Sequence, residues 1–125
     1  MWWEKYIGQP YVPKDGDCMS LAEQVATAEL GIALQMPEHT TGLRAQARQI
    51  QRYRDEYAQK VETPEDCQPV LFLCRKRFFH IGVSARINNE DYVLHNDERH
   101  GSVILTRLRD MARIGYEFEG FHRWI

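Results

Sequence analysis

Cys18, His80 and His95 are the residues of this chain whose types and spacing permit covalent chemistry. Cys18 follows a turn marked by Pro13 and Gly16 and stands where a helix begins, with Asp17 as the cap and helical periodicity from Cys18 to about Ile32. Backbone N–H groups at a helix N-terminus favour a thiolate, so a cysteine placed there titrates between ~3.5 and 7.5 instead of near 8.5. A reactive nucleophile is the chemical expectation. A small buried hydrophobe is the structural alternative for any free cysteine, and spacing alone leaves both open.

The histidines flank a hairpin. His80 opens one strand, His95 closes the next, and Asn88-Asn89 between them suits a two-residue type I′ turn. With that turn, facing positions sum to 177: Ile87 faces Glu90 and His95 faces Gly82. His80 and Gly82 share a side of the sheet, so His95 becomes a diagonal neighbour of His80 at roughly 7–8 Å between Cα atoms. A three-residue loop would send His95 to the other side. Ile81, Val83, Ala85 and Ile87 form a core face, which leaves His80 beside the small residues Gly82 and Ser84, where the Cys18 helix is expected to dock. A thiol beside an imidazole that a third polar group orients is the arrangement for acyl transfer. A histidine at a strand end is also an ordinary surface or hydrogen-bonded structural residue.

The elements that must position these groups follow from periodicity. Trp2, Trp3 and Tyr6 can share one face of a short helical turn and pack the N-terminus onto the core. Leu21, Ala22, Val25, Ala28, Glu29 and Ile32 continue the Cys18 face as an amphipathic helix. Gly31 and Pro37 interrupt it, and Glu38, His39, Thr40, Thr41 and Gly42 read as a connection. A second helix is expected from about Leu43 to Lys60, with Leu43, Ala47, Ile50, Tyr57 and Val61 inward and Arg44, Arg48, Gln51, Arg52 and Asp55 toward solvent. Pro64 and Pro69 mark a switch to strand patterns at residues 70–74, 79–87, 92–95, 102–106 and 118–124, with a helical turn at 108–114. Helices first and antiparallel strands afterwards predict an α+β domain, N-terminal helices packed on a roughly five-stranded sheet.

A chain of 125 residues builds one domain, with no repeat or low-complexity segment. Its net charge of -2 gives no general attraction to nucleic acid or anionic membranes, and the Arg75-Lys76-Arg77 cluster reads as a solvated turn. The three cysteines, Cys18, Cys67 and Cys74, lack metal-ligand spacing and suggest neither a disulfide framework nor a zinc site; no metal or cofactor is expected. No apolar run approaches the ~20 residues that span a bilayer, and Met1-Trp2-Trp3-Glu4-Lys5 is not a secretory signal, so synthesis in the cytoplasm is expected.

Gln9-Pro10-Tyr11, Asp17-Cys18, His80-Ile81-Gly82-Val83 and Tyr92-Val93-Leu94-His95 occur in an order and context that resembles the NlpC family of papain-like cell-wall cysteine peptidases. The ending, Gly101-Ser102-Val103 through Gly120-Phe121-His122-Arg123-Trp124, is similar to the last strands of members found in phage tails. The resemblance implies a papain-like NlpC-type fold and hydrolysis of an amide bond in a peptidoglycan stem peptide. It assigns Cys18 as nucleophile, His80 as general base and acid, and His95 as the orienting residue. Tyr11 matches a tyrosine that lines the family's site, and Asp17 and Met19 flank the nucleophile. Met19 replaces the small residue usual there, so it is expected at the cleft, where it narrows specificity or marks a degenerate site. The resemblance further implies delivery by a phage tail or similar injection machine, with tail proteins as partners and the virion as the location. A tail or assembly protein with an unused site, and a thiol acyltransferase or deamidase, are alternatives carried by the same residues.

Overall fold

Asp17 accepts a hydrogen bond from the Ser20 N–H at 2.8 Å and thereby starts α1 (Cys18–Leu30) in the computed structural model of the protein, which describes residues 1–34 and 42–125. Gly31, at φ +67°, ends that helix in the left-handed conformation that glycine adopts without steric cost. The connection expected from Pro37 through Thr41 and the side chain of Leu43 lie outside the described residues. α2 (Leu43–Tyr57) buries Ala47, Ile50 and Tyr53.

α2 is shorter than its periodicity suggests. At Ala58 the backbone turns extended and β1 (Ala58–Val61) pairs with the last strand, Ala58 facing Trp124. The sheet therefore has six strands where five are expected. The added strand is short, with Gln59 and Lys60 exposed, and its pairing partner is remote in sequence, so local pattern did not separate it from the helix. The other strands are β2 (Pro69–Cys74), β3 (Phe78–Ile87), β4 (Glu90–Asp97), β5 (Ser102–Arg107) and β6 (Tyr116–Trp124). All neighbours are antiparallel, in the order β1-β6-β2-β3-β4-β5. Short 3-10 helices cover Glu4–Tyr6, which buries Tyr6 next to Trp3, and Leu108–Ile114. The architecture is α+β.

Both helices cover one face of the sheet. Cys18, Met19, Leu21, Val25 and Ile50 share a core with Ile81, Val83, Ala85 and Leu94. The opposite face carries Val70, Phe72, Val93, Met111 and Tyr116. His80 faces Phe72 across the β2–β3 ladder, so it belongs to this second face. The expectation that α1 docks on the His80 side is thus corrected: α1 needs the broad apolar surface of Ile81, Val83 and Ala85, and it reaches His80 only at its first residue.

That meeting is possible because β3 and β4 separate. Their ladder runs from Ile87–Glu90 to Val83–Leu94 and stops. Ser84 exchanges its backbone hydrogen bonds on the β2 side, donating to the Gln68 carbonyl and accepting from the Cys67 N–H, so odd-numbered β3 residues direct their N–H groups toward β4. Ile81 N–H, past the end of the ladder, is directed at the Cys18 sulfur instead. Cys18 occupies the fork between the two strands.

A strap delivers Cys18 to that fork. Gly8 and Tyr11 donate backbone hydrogen bonds to Val103 and Gly101, and Val103 donates to Gln9, so the strap covers the outer edge of β5. Val12 and Gly16 then pair with each other around a tight loop, and the Asn96 side-chain amide donates to the Gly16 carbonyl at 2.7 Å. A Cβ on Gly82 would stand 2.5 Å from Val93 Cγ1 and 3.3 Å from His95 Cβ, so glycine permits the close approach of β4 that brings His95 in. Gly82→Ala is expected to destabilise the fold by about 1–3 kcal/mol through overpacking against the buried Val93. The midpoint of urea unfolding measures this; an unchanged midpoint would show that the hairpin has slack there.

Candidate active site

Asn88 and Asn89 have φ of +51° and +63°, the two left-handed residues of a type I′ turn. The register is the expected one, with every β3–β4 pair summing to 177, as in Val83 with Leu94. The histidine side chains consequently meet: His80 Nε2 lies 3.0 Å from His95 Nδ1, and His95 Nε2 lies 3.2 Å from Thr106 Oγ1. Thr106 stands on β5 two residues beyond Ile104, the partner of His95, which puts it diagonally across on the same face.

This chain of contacts has one direction that leaves His80 a base. His95 Nε2–H donates to Thr106, His80 Nε2–H donates to His95 Nδ1, and His80 Nδ1 keeps its lone pair. Cys18 and His80 line one cavity of about 170 Å³ together with Tyr11, Gln46, Arg99 and Tyr116. Gln46 Nε2 lies 3.9 Å from Cys18 Sγ.

Tyr116 is placed by a bulge. Leu71 pairs with Gly120 but Phe72 pairs with Phe118, so Glu119 is the extra residue of β6. The slip moves Phe118 and Tyr116 to the His80 face. The Tyr116 ring then stacks on His80 with centroids 4.2 Å apart and planes 16° from parallel. Its hydroxyl donates to buried Asp97 at 2.8 Å, and the Arg99 guanidinium lies 5.3 Å from the Tyr116 ring centroid while donating to the Ile114 carbonyl. Stacked ring and histidine partner together hold His80 in one orientation.

Burial dominates the electrostatics. Cys18 is pushed up to about 12, first by desolvation and then by the neighbouring Asp17 carboxylate; N–H groups of Ile81, Met19 and Cys18 itself pull the other way. The expected low-pKa thiolate is therefore corrected: the helix start favours it, but burial beside a carboxylate opposes it more. His80 is held well below its ordinary range by burial, with His95 and Arg99 adding to the effect. His95 is lowered to about 4 by burial, against the pull of Asp97. The resting pair is a neutral thiol and a neutral imidazole.

Of the expected site residues, the structure brings Cys18, His80, His95 and Tyr11 together. Met19 is elsewhere: it is 1% exposed and packed in the core, because one step along α1 turns the side chain from the fork into the helix–sheet interface. Its expected position at the cleft is corrected. Asp17 is likewise buried, where it caps α1 and accepts from the Ser20 hydroxyl at 3.0 Å; it borders a separate groove of about 820 Å³ that contains neither Cys18 nor His80. Gln46, Thr106 and Tyr116 are additions. Thr106 follows from the same register arithmetic once the β4–β5 turn is known, whereas Tyr116 depends on a bulge that residue types do not announce.

All three cysteines are free thiols, and among the described residues there is no cluster of three metal-ligating side chains. No protein-family model, no curated protein and no solved structure matches the chain.

The depressed His95 has a measurable consequence. Above pH 6.5 the ring is neutral in both folded and unfolded chains; as pH falls toward 4 the unfolded chain takes up a proton that folded His95 refuses. Stability attributable to this ring is thus present above its ordinary pKa and lost on acidification, by up to about 1.4 kcal/mol per pH unit. Urea midpoints measured across this window should fall less steeply in His95→Asn than in the unaltered protein. Equal slopes would mean that His95 is protonated in the fold.

Proposed function

We propose that this protein is a thiol peptidase that hydrolyses an amide bond of peptidoglycan stem peptides through an acyl-enzyme on Cys18. The observation that carries the chemistry is the His80–His95–Thr106 relay, which leaves the one remaining imidazole nitrogen of His80 for the cavity it shares with Cys18. Cys18 Sγ attacks the scissile carbonyl while its proton passes to His80 Nδ1. The resulting imidazolium, hydrogen-bonded to His95, gives that proton to the leaving amine as the C–N bond breaks. Water then attacks the thioester, His80 takes the water's proton, and release of the carboxylate product restores the thiol. A neutral thiol is competent here because its proton moves during attack, and the two charges form side by side where the low dielectric strengthens their attraction. The N–H of Cys18 at the start of α1 is a donor for the oxyanion.

The choice of peptidoglycan, and of a phage tail or similar injection machine as the carrier, rests on the resemblance to the NlpC family and its tail-associated members. Among the described residues no helix is long and apolar enough to cross a membrane. The buried, strongly raised Cys18 thiol favours one second reading, a tail or assembly protein that keeps the site without using it.

Digestion of purified peptidoglycan of several wall types, read by mass spectrometry of released peptides, separates the two. The peptidase reading expects release that Cys18→Ala abolishes and that His80→Ala lowers by at least about 10²-fold. Equal release by the protein and Cys18→Ala, or none from any wall, would establish the structural reading. An amide formed with an added amine, in place of hydrolysis, would mark an acyltransferase.

A further inference from the structure

The two basic segments that are separate in sequence converge beside the catalytic cavity. Arg44, Arg48 and Gln51 lie at i, i+4 and i+7 on α2, and with Arg77, Phe78 and Phe79 they line a concavity of about 210 Å³. No acidic residue contributes to its described lining. Phe79 is a wall of this concavity and also of the cavity that holds Cys18 and His80. A substrate bound at Cys18 that extends past Phe79 therefore enters a hollow framed by three guanidinium groups.

The arrangement works against the stability of the empty protein. Arg44 and Arg48 are like charges at helical i, i+4 spacing, which destabilises a helix. No carboxylate stands among the described lining of the hollow to neutralise them, and Arg77 lies 5.7 Å over the Phe78 ring. Arg75 and Lys76 form the turn between β2 and β3 with φ of +55° and +60°, a conformation that suits glycine or asparagine and strains long side chains. That turn puts Arg75 on the rim of the Cys18 cavity and Arg77 in the neighbouring hollow. The cavity around Cys18 is balanced, Asp97 and Glu98 standing against Arg75 and Arg99, whereas the described lining of the hollow carries cationic side chains without a carboxylate, so an anionic group is drawn to the hollow. Guanidinium groups recognise carboxylates by paired N–H donors, and the Phe78 and Phe79 rings offer surface to the aliphatic stem of the residue that bears one.

We propose that the Arg44–Arg48–Arg77 hollow is a specificity subsite that binds a side-chain or terminal carboxylate of the substrate peptide, next to the residue whose carbonyl Cys18 attacks. The peptide nature of the occupant rests on the peptidase reading above; the preference for a carboxylate rests on the hollow itself.

Binding can be measured without turnover by titrating Cys18→Ala with N-acetyl-Ala-Glu-amide and N-acetyl-Ala-Gln-amide and following arginine Nε–H resonances by NMR. The Glu peptide should bind about tenfold more tightly, the discrimination of one charge-assisted contact, and the advantage should shrink below about twofold when Arg48→Gln and Arg77→Gln are added. Equal binding of the two peptides, binding of neither, or a preference that survives both substitutions would overturn the proposal. Inorganic phosphate that displaces the Glu peptide at lower concentration than acetate-sized carboxylates do would overturn the carboxylate assignment in favour of a phosphate source. Failure of wall digestion with the Glu preference intact would defeat the peptidase reading alone and leave the subsite standing.

Discussion

The register of the Asn88–Asn89 hairpin is the constraint on which the site depends. A two-residue turn with both residues at positive φ sets β3 against β4 so that His95 comes diagonally beside His80, and one inserted residue would turn His95 to the helix side. The same register brings Gly82 under His95, where a side chain would collide. The end of the ladder at Val83–Leu94 then opens the fork that admits Cys18. The pairing of the two histidines thus comes from one local decision in the chain, while Cys18, 62 positions before His80, is brought to the fork by the strap and the start of α1.

Much of this was legible in residue types, and what was not has identifiable physical causes. The helix start at Asp17, the asparagine turn and the alternation of β3 are local signals, and each appears in the structure as its residues suggest. β1 was hidden because Ala58 to Val61 continues a helical pattern until a partner 66 residues later in the chain competes for its backbone, Ala58 pairing with Trp124. The docking side of α1 is not legible locally: the small residues beside His80 suggest room, whereas apolar area on the Ile81 face decides the packing. Met19 departs from its expected place for a related reason: adjacency to Cys18 in sequence is a turn of roughly 100° on a helix, enough to carry a side chain from the fork into the core. Tyr116 and Gln46 were illegible, one set by a bulge and the other by the docking of α2.

Asp17 shows the two demands on the nucleophile segment in conflict. Its carboxylate satisfies the Ser20 N–H and starts α1, and the same charge, one residue from Cys18, raises the thiol. An uncharged cap such as serine would relieve the second effect while keeping much of the first. The carboxylate is tolerable if Cys18 never has to hold a resting thiolate, because then the relevant quantity is the energy of the thiolate–imidazolium pair and not of the thiolate alone.

That condition fits the rest of the site. Burial holds His80 neutral well into the acid range, as the proposed role of base requires, and its partner His95 is held down by burial as well. Tyr116, stacked flat on His80 and anchored to Asp97, removes rotational freedom that an exposed imidazole would have to lose at the moment of reaction. The geometry therefore replaces a standing charge with a fixed path for the proton. On the proposed peptidase reading, such a site would gain selectivity from what it binds before the proton moves, and the arginine-framed hollow beyond Phe79 is a described surface where that binding would act.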